Sequence, residues 1–421
     1  MKRQGKRRAY KFAPRLIKAG ETNENHGRRP FEVVYVDHTL VDLQSVCGLT
    51  AEKLGKFWIS VLIDGYSRKI LAFVLSYDHP SYATTMLLIR ECVRLHNRAP
   101  DLLVVDGAQE FECVYFHDLM AHCGCDWKVR PPELSRFGCI IERLFGTLNT
   151  EVVYKLLGNT QIMKHVRQVT KSVNPANSTT WTLPAFHEIL EIYFFTVYEL
   201  GDHPVLNMTR RKAFDSGNDN AGERPNREIT YDAFFYIMTM PSTPKGQAKV
   251  LPRLGVRIKY LYYWHDDMAD PHVECTKIDV RYDPHDRGVA FAYIKGRWVV
   301  CRSERYEVFS GMSEKQIELL SVEFEKENHD RAKNRYLYGK QLAMFSQTNK
   351  AKEAVLTQSL KDHARLSVTK LPAGMVIAPR VPNSDKQSET ITATQPMSDQ
   401  KSDPRGKRIN SIEHEFESFS F

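Results

Sequence analysis

The sequence predicts an α/β protein: a mixed sheet with helices on its faces, then a helical segment, a small β-barrel and a largely disordered tail. Three observations predict it. Residues 31–157 alternate apolar, β-branched runs with helix-patterned runs in the order β-β-β-α-β-α-β-α, which describes a sheet covered by helices. From about Val250 to Tyr306 the pattern changes to short aromatic and β-branched runs separated by turn residues, as in a small barrel. Beyond about Leu371 the chain is rich in Ser, Thr, Gln, Pro and charge, and such a segment buries too little to order itself.

Each element has its own signal. FEVVYVDHT is apolar up to Asp37, KFWISVLIDGYS is broken by Asp64-Gly65, and RKILAFVLSY follows. These read as three strands, with the Asp-Gly pair as a turn between the second and third. SYATTMLLIRECVRLH reads as a helix capped by Ser81. DLLVVDGAQEF is a short strand ending at Asp106, Cys113 to about His122 a helix, DWKVRPP a strand closed by Pro131-Pro132, and Ile140 to about Leu157 a helix. Residues 31–180 are thus expected to form the core, and 181–245 a helical extension or linker. Residues 246–310 are expected to form the barrel, from VRIKYLYYW, HVECTKIDVRYDP, GVAFAYIKG and RWVVCR. Tyr260, Tyr262, Tyr263 and Trp264 read as barrel core rather than base-stacking platforms. Residues 311–370 read as a charged helix and 371–421 as a disordered tail.

Composition narrows the function. A chain of 421 residues exceeds one ordinary domain. No apolar run approaches the length that crosses a bilayer. The basic start MKRQGKRRAY has no apolar stretch behind it, so it is not a secretory signal. A soluble, cytoplasmic protein is expected, and its eight cysteines read as reduced thiols. Cys123-Gly124-Cys125 is too tightly spaced for a zinc knuckle, and buried small side chains at a helix end are the better reading. Net charge is +8, and residues 1–30 hold ten Lys/Arg against two acids, so the rest of the chain is close to neutral. A basic arm on a balanced body suits contact with a polyanion. The arm residues Lys2, Arg3, Lys6, Arg7 and Arg8 are the first candidates for DNA contact.

Three acids stand at informative places. Asp37 lies near the end of the first strand, Asp106 ends the fourth, and Glu142 lies in the first turn of the following helix, with 35 residues between it and Asp106. Converging carboxylates repel one another and call for cations. Oxygen ligands without His or Cys suit Mg²⁺ or Mn²⁺. Two such ions about 3.5–4 Å apart activate one oxygen and stabilise the leaving oxygen of a phosphodiester. The blander readings stay open: Asp106-Gly107 as a turn, and Glu142 as a favourable charge at a helix start. Asp64 also ends an apolar run, but its Gly-Tyr-Ser-Arg continuation favours a turn. Arg130, Arg136 and Arg143 near the acids, then Lys164, Arg167, Lys171, Lys295 and Arg297, are further candidates for phosphate contact.

Val36-Asp37-His38-Thr39, Ile63-Asp64-Gly65-Tyr66-Ser67-Arg68, Val104-Val105-Asp106-Gly107-Ala108-Gln109-Glu110-Phe111 and Ile141-Glu142-Arg143-Leu144-Phe145-Gly146-Thr147-Leu148-Asn149 together resemble the retroviral-integrase-like core of bacterial transposases. The stretch Gly158–Lys171 is similar to the TnsB-type group, and Val280-Arg281-Tyr282-Asp283-Pro284-His285-Asp286 resembles the start of the barrel region in phage Mu and TnsB-type transposases. The resemblance covers roughly residues 31–310. It implies a ribonuclease-H-like core with Asp37, Asp106 and Glu142 as the metal-binding triad. It also implies nicking at transposon 3′ ends, strand transfer into target DNA, a homo-oligomer on DNA and association with the nucleoid. An AAA+ ATPase would be the partner, with the acidic-aromatic end Ile412–Phe421 as its candidate contact. Two departures stand out. Relatives usually carry helical end-binding domains before the core, whereas about thirty residues precede it here; end recognition is then expected on another chain, in reduced form, or absent from this sequence. Integrase-like cores also often have Gly three residues before the Glu, where this chain has Cys139, with Gly138 one earlier. The competing readings are a nuclease of the same fold without strand transfer, and a non-catalytic DNA-binding scaffold derived from a transposase.

Overall fold

The structure, a computed structural model, describes residues 26–105, 114–129, 139–161, 179–203, 205–222, 228–327 and 339–372. Strand β1 (Val33–Leu40) sends Val33 and Tyr35 into one apolar cluster and Val34 and Val36 into another. Side chains alternate across a strand, so a strand apolar on both sides needs cover on both. A small hairpin, β2 (Ser45–Val46) and β3 (Lys53–Gly55), separates it from β4 (Trp58–Asp64). With β5 (Ile70–Ser76), β6 (Leu102–Val105) and β7 (Asp126–Val129), β1 and β4 form a five-stranded sheet in the order β5-β4-β1-β6-β7. β1, β4 and β5 run antiparallel, while β6 and β7 run parallel to β1. This is the mixed sheet that the sequence pattern predicts.

Helices cover both faces. On the even face of β1 lie α1 (Tyr82–His96), through Met86, Ile89 and Val93, and α2 (Val114–Cys123), through Phe116 and Leu119. Ser81 stands at the start of α1 in extended conformation, and its N–H donates to Thr84 Oγ1 at 3.2 Å. Asn97 closes the helix in the left-handed region that Asn tolerates. On the odd face lie α3 (Cys139–Glu151), through Ile141, Leu144 and Leu148, and α4 (Leu183–Ile192), through Phe186 and Leu190. The start of the segment expected as a helical extension or linker is a helix that packs into the core. Leu183, Phe186, Leu190 and Phe194 are fully buried because they cover sheet surface that α3 leaves open. A widened helical turn, Tyr193–Tyr198, continues α4; then come the hairpin β8 (Asp202–His203) with β9 (Met208–Thr209), α5 (Arg210–Ala221) and α6 (Ala233–Met238). Glu199, buried at the start of this excursion, pairs with Lys69 at 3.1 Å and Arg211 at 2.9 Å. A buried carboxylate is tolerated when it is paired in this way.

Strands β10 (Gln247–Leu251), β11 (Gly255–Ile258), β12 (Leu261–Trp264), β13 (Lys277–Tyr282), β14 (Val289–Ile294) and β15 (Arg297–Ser303) close a barrel in the order β10-β11-β12-β15-β14-β13. Tyr263 fills its interior, with the hydroxyl donating to the Arg287 carbonyl at 2.8 Å. Tyr260 and Trp264 are half-buried against the same cluster. The single charged helix expected over 311–370 is instead, among the described residues, α7 (Glu314–Glu327), α8 (Gly339–Phe345) and α9 (Asn349–Leu366). Thr348 breaks the run by capping α9, accepting the Ala351 N–H at 3.3 Å. Ala351 of α9 packs into the barrel cluster, whereas Leu360 and Ala364 pack into the odd-face cluster of the sheet. Leu371 is packed as well, near Tyr236 and Met240, so order persists to the point where the tail was expected to begin. Cys123 and Cys125 are buried at the end of α2, and burial pushes the Cys123 thiol up to about 12. No helix among the described residues is long and apolar enough to cross a membrane.

The β4–β5 turn is fixed by a buried carboxylate. Asp64 accepts the Phe31 N–H at 2.9 Å, the Ser67 N–H at 2.7 Å and the Ser67 hydroxyl at 2.6 Å. Gly65 follows because a Cβ there would stand 2.6 Å from the Val33 carbonyl oxygen. Asp64→Ala leaves those buried donors without an acceptor and is expected to cost about 2–4 kcal/mol. Burial raises the Asp64 carboxyl from 3.8 to about 6, so its ionisation opposes the fold as pH rises through that window. The penalty of the substitution should therefore be larger at pH 4 than at pH 7. Urea unfolding at the two pH values checks both the size and the sign.

Candidate active site

Asp37 continues the series Val33, Tyr35 on β1, so strand parity directs it to the odd face, toward α3 and away from α1 and α2. Its cross-strand partner is Val61, itself in the odd-face cluster. Asp37 is half-buried, and its Oδ1 accepts the His38 N–H at 2.8 Å. His38 belongs to the even series, and its Nδ1 lies 2.6 Å from Ser60 Oγ. On the other side of β1, β6 pairs in parallel with Tyr35 opposite Val104, and ends at Val105. Asp106 follows in sequence and lies outside the described residues.

Glu142 sits in the first turn of α3, exposed, where a carboxylate is favoured by the helix dipole. Its neighbours Ile141 and Leu144 are buried beside Tyr35 in one cluster, and α3 packs directly on β1. Asp37 and the helix bearing Glu142 thus share one face of the sheet. Asp64 does not join them: it lies opposite Val34 of the even series. Among the described residues no group of three or more His, Cys, Asp or Glu side chains stands close enough to hold a metal.

The basic candidates divide. Arg143 is exposed beside Glu142. Lys295 and Arg297, at the β14–β15 turn of the barrel, pair with Asp270 at 2.6 Å and Asp267 at 3.1 Å, so a phosphate there would compete with a carboxylate. Lys2, Arg3, Lys6, Arg7, Arg8, Arg130, Arg136, Lys164, Arg167 and Lys171 lie outside the described residues. A further group gathers near α3. Burial, then the charges of Arg210, Arg68 and Arg143, hold the His203 imidazole below its usual range. The Arg210-Arg211-Lys212 run is visible in the sequence as three consecutive cations, but the stronger charge of the arm overshadows it.

Residues 35–158 match the family model of the TnsB C-terminal domain, and residues 238–302 match that of the Mu transposase, C-terminal. The chain is related to the TnsB- and Mu-type transposases. The first match covers the sheet from β1 to the end of α3, and the second runs from the end of α6 through most of β15. A curated relative, the transposase for transposon Tn552 of Staphylococcus aureus, is 21% identical over 197 residues, which is 45% of this chain. The chain spans 38% of that relative's length. Among solved structures, the chain is similar to the simian T-cell lymphotropic virus intasome in complex with PP2A regulatory subunit B56 gamma. That match has 11% identity and a TM-score of 0.31 over 69% of this chain and 83% of the other. It is also similar to the HTLV-2 integrase catalytic core domain in complex with magnesium, with 13% identity and a TM-score of 0.27 over 44% of this chain and 97% of that one.

Proposed function

We propose that the protein is a DNA transposase that nicks DNA at transposon 3′ ends and transfers the 3′-hydroxyl into target DNA. The observation that carries this reading is the shared face: Asp37 on β1 and the first turn of α3 lie on the same side of the sheet. β6, the neighbour of β1, runs up to the residue before Asp106. Val104 faces the odd side, shared with Asp37, and Val105 the even side. The strand order, antiparallel on one side of β1 and parallel on the other, supports a ribonuclease-H-like core.

The donor set is chemically apt for a hard cation, since all three groups are carboxylates and the two described ones are not sunk in apolar surroundings. Asp37, Asp106 and Glu142 would hold Mg²⁺ or Mn²⁺, two ions per site. When bound, the ions supply activation of a water or a DNA 3′-hydroxyl and neutralise charge on the leaving oxygen. The chain's own residues do the rest. Sheet hydrogen bonding fixes the Asp37 backbone, and the packing of Ile141 and Leu144 fixes the start of α3. Exposed Arg143 offers a guanidinium to a phosphate beside Glu142. Lys2, Arg3, Lys6, Arg7 and Arg8 in the arm, with Arg130, Arg136, Lys164, Arg167 and Lys171, would add backbone contacts that hold DNA without reading its sequence. Two ends must be joined in one event, so a homo-oligomer on DNA is part of the proposal.

The direct test uses uncut transposon-end DNA to read nicking and pre-cut ends to read joining, both in Mg²⁺. Asp37→Asn and Glu142→Gln should each abolish nicking and joining, with duplex binding retained because the phosphates still meet the same cations. Glu142→Gln should also shift stability by less than about 0.5 kcal/mol, as expected for an exposed side chain. Normal joining by Glu142→Gln overturns the assignment. Wild-type protein that nicks without joining supports the nuclease alternative, and inactivity in both steps supports the scaffold.

The tail supports a second proposal, contact with an AAA+ ATPase regulator. Ile412, Phe416, Phe419 and Phe421 alternate with Glu413, Glu415 and Glu417, and apolar anchors of this kind seat in a partner's groove. Deleting residues 410–421 should leave joining of pre-cut ends intact and reduce ATPase-dependent insertion. Calorimetry that finds undiminished ATPase affinity in the truncated protein contradicts the assignment.

A further inference from the structure

Strand β13 carries a charge at a position that should look outward from the barrel. Val280 and Tyr282 belong to the barrel's interior cluster, so parity turns Arg281 the other way. Arg281 is nevertheless only 3% exposed. Its cross-strand partner on β14, Phe291, is buried as well and packs with Tyr236, Ile237 and Met240 of α6 and the turn after it. The outer surface of β13 and β14 is therefore covered by other parts of the chain. Over Arg281 the cover is α2: Nη2 stands 3.5 Å from Oδ2 of Asp118, whose side chain is half exposed. Nη1 donates to the Val280 carbonyl at 3.3 Å, while Nε is buried with no hydrogen-bond acceptor among the described residues. Burial pulls the guanidinium below its usual range, and the charges of Asp118 and Asp279 oppose that pull. A buried cation is tolerated when it is paired, and Asp118 supplies the pair from the core side.

α2 in turn packs on the end of β6. Tyr115, Phe116 and Leu119 share the even-face cluster with Leu103 and Val105, and Val105 is the residue before Asp106. Tyr115 also meets Tyr82 of α1 edge-on, with ring centres 5.2 Å apart. α2 is ten residues long, and a helix so short draws its stability from packing. The sheet supplies most of that packing, and the barrel adds a contact from outside the core. A second approach lies at the start of α2, where a Cβ at Gly246, just before β10, would stand 3.8 Å from Val114 Cγ1. Residues 106–113 join β6 to α2, so the position of α2 sets one end of that connection.

We propose that Arg281 is a positioning residue for the candidate active site: from the barrel it pins α2, which holds Val105 and so the strand end that leads into Asp106. The proposal rests on the transposase reading and gives the barrel a part in shaping the site. Arg281 is buried, so it acts through α2 rather than on DNA.

The test uses the full chain and two readouts: amide hydrogen exchange of α2, and the rate of joining pre-cut ends in Mg²⁺ at saturating DNA. Arg281→Met removes the charge and keeps much of the side-chain length. It should speed exchange across residues 114–123 while the barrel strands keep their protection. It should also lower the joining rate severalfold, up to about a hundredfold for a misplacement near 1 Å, with duplex Kd unchanged. Arg281→Lys keeps a cation within reach of Asp118 and should restore part of both. Asp118→Asn reaches the same contact without touching the barrel and should move both readouts the same way by a smaller factor; it decides alone if Arg281→Met loses barrel protection too. Val280→Ala opens a cavity inside the barrel and should leave α2 exchange and joining as in wild type. Unchanged α2 exchange in Asp118→Asn, an equal loss of joining in Val280→Ala, or a joining defect accounted for by weaker duplex binding each overturns the role. Unchanged α2 exchange with Glu142→Gln inactive ends this proposal and leaves the transposase reading standing; joining retained in Glu142→Gln ends the reading itself.

Discussion

β1 is covered on both faces, so its first four side chains are divided by parity between two apolar clusters, Val33 and Tyr35 in one and Val34 and Val36 in the other. A slip of one residue would reverse every assignment along the strand. The seven cross-strand pairs with β4 and the parallel pairs with β6 hold that register from both sides. Asp37 is where this constraint bears on the proposed site. It is the first polar residue after four buried ones in β1, and its parity aims it at the helix that bears Glu142. The same parity takes Asp64 to the opposite face, where its carboxylate closes a turn.

The rest of the chain holds these two placements. α4 and the widened turn after it add Phe186, Leu190 and Phe194 to the cluster that seats α3. Glu199, bound by Lys69 and Arg211, ties that segment to the β4–β5 turn and to α5. α9, about 27 Å long, has one end in the barrel cluster and the other in the sheet cluster. Arg365 near its end pairs with Asp78 at 3.5 Å, just before α1. Sheet and barrel fall in one compact unit, and α9 is a physical reason that they do.

Much of this was legible in the sequence because the signals are local. Continuous apolar, β-branched runs pointed to β1, β4 and β5, the Asp64-Gly65 pair to the turn, and Ser81 to the start of α1. The aromatic strands from VRIKYLYYW onward gave the barrel, which proved to close with six strands beginning at Gln247. Docking was not legible. An apolar stripe on α4 does not say which surface it covers, so its docking against the sheet was not part of the reading as a helical extension or linker. α9 carries two short apolar contacts at opposite ends, too sparse to distinguish from a solvated charged helix. Asp37 and Glu142 were singled out by position, at a strand end and a helix start, with convergence expected from the strand order; the register of β1 and the packing of α3 put the strand and the helix on one face of the sheet.

On the proposed function, this face binds metal through Asp37 and Glu142. Anomalous scattering from crystals of the full chain grown with Mn²⁺ tests this most directly. A peak at coordination distance, about 2.0–2.6 Å, from carboxylate oxygens of both residues is expected. A peak at Asp64, or full Mn²⁺ occupancy elsewhere with this face empty, would contradict it.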